Sequence, residues 1–272
     1  MVWLSRALLD PASLPLKGES SVAMLELQEL CKSFGGLMAV AGASLHVEQG
    51  QIVGLIGPNG SGKSTLLSTV AGQYRPDAGH ILFGGQEIGG LPPEQIFGRG
   101  LARSYQDPSL FFRMSVLDNV LLAAKGQSGE RPTVAPWHRR WWPQERQLAE
   151  RAVTVLNDLK LLGRRDAMAA DLSGGQMKLL ELGRTVMGEP TMMLLDEPTA
   201  GVAPALAYAI FEEIERLRRE NGLTFLIVEH RLEILFDFVD WIYVMHMGKV
   251  IAQGKPDQIA ADPLVREVYF GE

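Results

Sequence analysis

Gly57-Pro58-Asn59-Gly60-Ser61-Gly62-Lys63-Ser64-Thr65 fills every fixed position of the phosphate-binding loop pattern G-x-x-x-x-G-K-[ST]. The residues before it, Gln51 to Ile56, are apolar enough for a buried strand. After it, Leu66, Leu67, Val70 and Ala71 recur at helical spacing. Glycines let the backbone turn so that successive N–H groups point inward at phosphate oxygens, and a helix starting near Lys63 adds its positive dipole end. Lys63 can then reach the β- and γ-phosphates of a nucleoside triphosphate, with the Ser64 hydroxyl placed for Mg²⁺. Such a loop implies triphosphate binding and leaves open what the energy drives.

Composition narrows the class. The chain has 272 residues and a net charge of −6, enough length for one large domain or two small ones. Its acidic balance argues against a general nucleic-acid binder, which would show a basic face. One cysteine, Cys31, excludes an intrachain disulfide and suits a reducing compartment. No apolar run is long enough to span a bilayer. The stretch Met1 to Leu9, ended by Asp10 and Pro11, is too short for a signal peptide. A cytoplasmic protein is expected.

Residues 1 to about 22 hold Pro11, Pro15, Gly18 and four serines without a sustained period, and read as an extension. The alternation Leu25 to Leu30 signals a half-buried strand, as does Ser44 to Glu48, with Gln49-Gly50 turning into the phosphate-loop strand. Between them, Phe34 reads equally as core or as a stacking platform for a base. Further on, Gly79 to Gly85 reads as a hairpin and Pro92-Pro93 as a helix start. Gln106 gains interest only from lying between two nucleotide motifs. The segment Lys125 to Pro143 carries Trp137-His138-Arg139-Arg140-Trp141-Trp142. It fits a cap on a helical subdomain, a membrane-proximal tip or a nucleic-acid stacking surface. A helix is expected from Glu145 to Leu162, stopped by Gly163.

A second decisive stretch is Leu172-Ser173-Gly174-Gly175-Gln176, followed by an apolar-periodic helix. A hydroxyl and two glycines at a helix start make a second anion-binding end in one chain. Next, Met192-Met193-Leu194-Leu195 runs into Asp196-Glu197, a buried strand delivering carboxylates. Asp196 is suited to hold Mg²⁺ through water and Glu197 to polarise an attacking water. Thr224 to Val228 is a similar strand, ending in Glu229-His230, so His230 can face the γ-phosphate. Strands at Trp241 to Met245 and Lys249 to Gln253 precede a helical tail.

Taken in order, the phosphate loop, Gln106, Leu172-Ser173-Gly174-Gly175-Gln176, Asp196-Glu197 and His230 resemble an ABC-transporter nucleotide-binding domain over residues 24 to 272. Within that family the chain looks most like the LivG-type ATP-binding subunits of branched-chain amino acid importers. That narrower likeness rests on Ser33 to Val40, Leu110-Phe111, Ser115 to Val120, the insertion at 125–147, Ala200-Gly201 and the ending Tyr269-Phe270-Gly271-Glu272. Urea and amide importer subunits share many of these features.

The resemblance implies an α/β fold: a RecA-like P-loop NTPase lobe with an N-terminal antiparallel sheet and a helical lobe inserted at roughly 98–170. It implies ATP and Mg²⁺, with Phe34 stacking on adenine and Gly57 to Thr65 wrapping the phosphates. Gln106 would touch Mg²⁺ and the attacking water, Glu197 would be the general base, and His230 would hold the γ-phosphate. Ser173, Gly174 and Gly175, with Gln176, would contact ATP bound to a second ATPase subunit, identical or paralogous. The remaining implied partners are two membrane permeases and, through them, a periplasmic or lipid-anchored binding protein, with no nucleic acid. The place of action would be the cytoplasmic face of the plasma membrane. Two departures stand at the implied subunit interface: Ala203 where Asn is usual before Pro204, and Arg231 where Asp usually follows the histidine. Alternatives are a lipid-exporter ATPase and a soluble ABC ATPase of an assembly machine.

Overall fold

A computed structural model of the chain describes residues 23–104, 109–130 and 132–270. The extension at 1–22 and Gln106 lie outside the described residues. From Leu25 the alternation does what it predicts. In β1 (Leu25–Phe34) and β2 (Leu37–Val47), Leu25, Leu27, Val40, Ala43, Leu45 and Val47 point into the core. The two strands pair antiparallel around the turn at Gly35-Gly36. Both run longer than their apolar alternation, so Phe34 ends a strand instead of lying between two. Asp77 holds this polar end: it accepts from Lys32 Nζ at 2.8 Å and from Ser33 N and Oγ at 2.6 Å each.

After these come β3 (Ile52–Ile56), α1 (Lys63–Val70), β4 (Ala78–Phe83), β5 (Gln86–Glu87), α2 (Pro93–Gly98) and β6 (Leu101–Arg103). The expected hairpin is β4–β5, and Pro93 occupies the first turn of α2, where its missing N–H costs nothing. Three longer-range helices follow: α3 (Val116–Leu121), α4 (His138–Asp158) and α5 (Gly174–Met187). The chain then alternates through β7 (Met192–Asp196), α6 (Pro204–Asn221), β8 (Thr224–Val228) and α7 (Leu232–Phe238). It ends with β9 (Trp241–His246), β10 (Lys249–Gly254), α8 (Pro256–Ala261) and α9 (Pro263–Phe270).

Two sheets result. The antiparallel one has the order β2-β1-β4-β5; the other has the order β10-β9-β3-β8-β7-β6 and is parallel except for the edge strand β10. Strands β3, β7 and β8 are buried throughout because both faces are covered, which explains their unbroken apolar runs. Ile52, Met193, Leu195, Phe225 and Ile227 face the core under the later helices, including Phe211 and Ile214 of α6. Their neighbours Val53, Leu55, Leu194, Leu226 and Val228 face α1 and the antiparallel sheet.

Within the span expected as a helical lobe, 98–170, Leu101–Arg103 forms β6 of the parallel sheet, and beyond that span α5 packs on α3 and α4. The helix expected at Glu145 to Leu162 starts seven residues earlier and stops at Asp158, not at Gly163. Lys160, with φ +59°, turns the chain out of the helix, and Leu161 is buried. Its earlier start keeps Pro143 just beyond the first turn, so the Trp-rich stretch is helical where proline marked a break.

Candidate nucleotide site

The phosphate loop joins β3 to α1 at the carboxyl end of the parallel strands, where open α/β sheets form their binding crevice. Two of its glycines have no substitute. Gly57 has φ +154°, and a Cβ there would sit 2.2 Å from the carbonyl oxygen of Met245. Gly62 has φ +103°, and its Cβ would meet the carbonyl oxygen of Ala39 at 2.2 Å. Strand β2 and the end of β9 thus press directly on the loop, and Gly248 N donates to Ser61 O at 2.9 Å. Lys63 is 6% exposed. Its Nζ curls back along the loop, donating to Gly57 O at 2.7 Å and Pro58 O at 3.0 Å. Burial pushes its pKa below the ordinary lysine value, while the nearby carboxylates of Glu197 and Asp196 oppose the shift.

Register explains how the acids arrive. Parallel pairing sets Asp196 beside Val228 and Val228 beside Leu55, so the strand ends carrying Glu197, His230 and the loop share one edge. Asp196 is buried; its Oδ2 pairs with Arg103 Nη2 at 3.0 Å and its Oδ1 lies 3.5 Å from Ser64 Oγ. Arg103 also donates to Ser68 Oγ at 2.7 Å and Gln73 Oε1 at 2.9 Å. Glu197 sits in the left-handed region at φ +49°, its N–H donating to Val228 O at 2.9 Å. That conformation costs a carboxylate residue about 1 kcal/mol and is the kind of strain that clusters at working sites. His230 Nε2 stands 3.1 Å from Glu197 Oε1.

These residues line a cleft of about 660 Å³, within the usual range for small-molecule sites. Phe34, 43% exposed, lines it with Met247, as do Lys63, Ser64, Glu197 and His230. Tyr74 meets the Phe34 ring edge-on at 5.0 Å and Lys32 Nζ lies 5.4 Å from its centroid, which braces an open aromatic face.

Ser173 to Gln176 do not line this cleft. They open α5, where Ser173 Oγ accepts from Gln176 N at 3.4 Å and Gln176 Oε1 accepts from Ser173 N at 3.0 Å, a reciprocal cap. Gly174 faces open space. At Gly175 a Cβ would lie 1.8 Å from Leu206 Cδ2, so this glycine lets α5 approach α6.

Sequence reasoning missed two supports. Glu229 is buried and accepts from Thr199 N at 3.0 Å, Thr199 Oγ1, His230 N at 2.8 Å and Arg231 N at 3.2 Å. It ties the turn after Glu197 to the His230 backbone; an acid ending an all-apolar strand was the available signal. Arg231, one of the two positions that depart from the usual pattern, adds a bond from Nη2 to Val202 O at 2.7 Å, next to the other, Ala203. The second support, Arg103, had no distinguishing local pattern.

A glycine cradle closing on a buried lysine, with two acids and a histidine delivered by adjacent parallel strands, defines an ATP-binding cassette. The ABC transporter family profile matches residues 40–200, and a profile described as branched-chain amino acid ATP-binding cassette transporter matches residues 249–272. The chain belongs to the ATP-binding subunits of ABC transporters, and it is an ATPase of that family. A relative from Archaeoglobus fulgidus, named a probable branched-chain amino acid transport ATP-binding protein LivG, is 44% identical, the match covering 91% of this chain and 95% of that one. The Escherichia coli K12 high-affinity branched-chain amino acid transport ATP-binding protein LivG is 36% identical over 93% of this chain and 99% of its own. A solved ATP-binding cassette of an ABC transporter in its ADP conformation is 40% identical. It superposes with a TM-score of 0.80, covering 92% of this chain and 99% of that one. A nucleotide-free cassette gives the same TM-score at 39% identity, covering 92% and 100%. Among the described residues no helix is long and apolar enough to cross a membrane. ATPase subunits of ABC importers work with membrane permease subunits.

Proposed function

We propose that this subunit powers the uptake of branched-chain amino acids, working with two permeases, a second ATPase and a binding protein at the cytoplasmic face of the plasma membrane. The observation that carries the reading is the Glu197–His230 pair, 3.1 Å apart at a cleft lined by the phosphate loop, in a chain whose last residues match the branched-chain profile. Urea and amide importer subunits remain the nearest rival reading.

In this mechanism the base stacks on Phe34 and the loop N–H groups receive the phosphates. Lys63 exchanges its bonds to Gly57 O and Pro58 O for phosphate oxygens, a swap that replaces weak acceptors by charged ones. The donor set fits Mg²⁺: a hydroxyl and a carboxylate oxygen, Ser64 Oγ and Asp196 Oδ1, stand 3.5 Å apart, with Arg103 fixing the second carboxylate oxygen. When bound, the ion supplies charge neutralisation on the β- and γ-phosphates. Glu197 takes the proton of the attacking water, and His230, held by the Glu229 network, orients Glu197 and the γ-phosphate. Gln106, which lies outside the described residues, would report the nucleotide state to the permeases. Ser173 to Gln176 reach ATP on the second ATPase, which explains why the cap at α5 stands apart from the chain's own cleft. Detergent pull-down from native membranes tests the assembly. Two permeases and a second ATPase are expected, and recovery of soluble proteins alone would refute it.

A further inference from the structure

From Pro132 to Gln144 the chain carries two arginines and a histidine and no carboxylate, within a molecule of net charge −6. This tip is pinned. Trp141 Nε1 donates to Ala135 O at 3.0 Å, and its ring packs against Gly129. Gln144 Oε1 accepts from Ser128 N at 2.8 Å and Oγ at 2.6 Å, while its Nε2 donates to Gly126 O at 2.9 Å. The pinning leaves Trp137 62% exposed and Trp142 55% exposed. The His138 ring sits between Trp141 and Trp142, with centroids at 4.8 and 4.9 Å, and the Arg140 guanidinium lies 5.9 Å from the Trp137 ring.

Helix stability does not account for these choices. Trp137 holds the N-cap position without a side-chain cap, and the first turn contains no acid. It contains Arg139 and Arg140 instead, cations placed at the positive end of the helix dipole. Among the described residues neither has a carboxylate partner, and the first ion pair along α4 is Arg146–Glu150. Two tryptophans left in water beside two arginines that oppose their own helix are local choices the fold does not reward, so a ligand outside the fold must. The chemistry wanted is an apolar layer beneath a negative one. A nucleic acid would need a longer basic track than one turn supplies.

We propose that this tip contacts anionic phospholipid headgroups. Trp137 and Trp142 enter at the interfacial level and Arg139 and Arg140 pair with lipid phosphates. Aromatic and basic signals are both needed, since each alone gives marginal attachment. The inference rests on membership of a transporter family for the nearness of a bilayer and is independent of the transported substrate.

Flotation of the full chain with vesicles tests it. Wild type should float with vesicles of phosphatidylglycerol and phosphatidylcholine in equal parts and not with phosphatidylcholine alone, and added salt should weaken the binding. Arg139→Gln with Arg140→Gln should lower partitioning about 30-fold, the worth of two charges near an anionic surface. Trp137→Ala with Trp142→Ala should lower it as well. Both variants should keep wild-type circular dichroism and ATP hydrolysis. Absence of wild-type flotation, equal flotation on neutral vesicles, or undiminished flotation of either variant would overturn the proposal. Binding of an RNA oligomer, lost in the same variants in place of vesicle binding, would assign the tip to nucleic acid instead.

Discussion

Replacing Glu197 with Gln isolates the chemistry from the binding. The amide has the shape of the carboxylate, so it can keep the 3.1 Å contact to His230 Nε2 and the left-handed backbone pinned by the bond to Val228 O. What it loses is the ability to take a proton. A positioned base is worth about 10²–10⁴ in rate, or roughly 3–5 kcal/mol of barrier at 1.36 kcal/mol per decade. Binding should hold or improve, because a negative charge leaves the neighbourhood of the phosphates while Lys63 and the glycine cradle stay. The assay pairs phosphate release by the assembled complex with equilibrium binding of a fluorescent ATP analogue. Turnover within a few-fold of wild type, with binding intact, would remove Glu197 from the role of base. Loss of binding in parallel with turnover would show that the carboxylate supports the loop and not the water.

Three further substitutions probe separate links. Lys63→Ala removes charge-assisted bonds worth about 1.5–3 kcal/mol to phosphate oxygens, so titration should show ATP affinity falling by roughly ten-fold or more; unchanged affinity would contradict the phosphate-loop reading. Gly175→Ala places a Cβ 1.8 Å from Leu206 Cδ2; its melting temperature should drop, and Leu206→Ala in the same chain should recover part of the loss, whereas no recovery would place the cause elsewhere. Asp77, held near pKa 2 by hydrogen bonds from Lys32 and Ser33, is depressed from 3.8. A depressed carboxylate stabilises the fold above its unfolded pKa and loses that contribution as pH falls through the folded one. Acid melts should therefore show wild type losing stability between about pH 4 and 2 relative to Asp77→Asn, and parallel curves would refute the coupling.

Much of this arrangement was legible because the decisive signals are local. The loop Gly57 to Thr65 needs its glycines for backbone reasons that any copy must meet, and strands buried on both faces announce themselves as apolar runs ending in Asp196-Glu197 and Glu229-His230. What escaped depends on partners far along the chain. The polar end of β1 is a strand because Asp77 holds Ser33 and Lys32, and nothing near Ser33 says so. Glu229 reads as one half of a polar pair until Thr199 is brought against it. Gly175 reads as part of an anion-binding helix start, yet its close neighbour in this chain is Leu206. The first turn of α4 was hidden by Pro143, since a proline just past a first turn looks in sequence like a break.

In the proposed function, ATP hydrolysis at this site drives amino acid movement through partner permeases. Proteoliposomes containing the whole complex, with ATP supplied on the side of this subunit and the binding protein on the other, measure that directly with labelled leucine. ATP-dependent leucine accumulation that disappears with Glu197→Gln is the predicted result. Hydrolysis that proceeds without leucine uptake, or uptake that Glu197→Gln leaves intact, would contradict it.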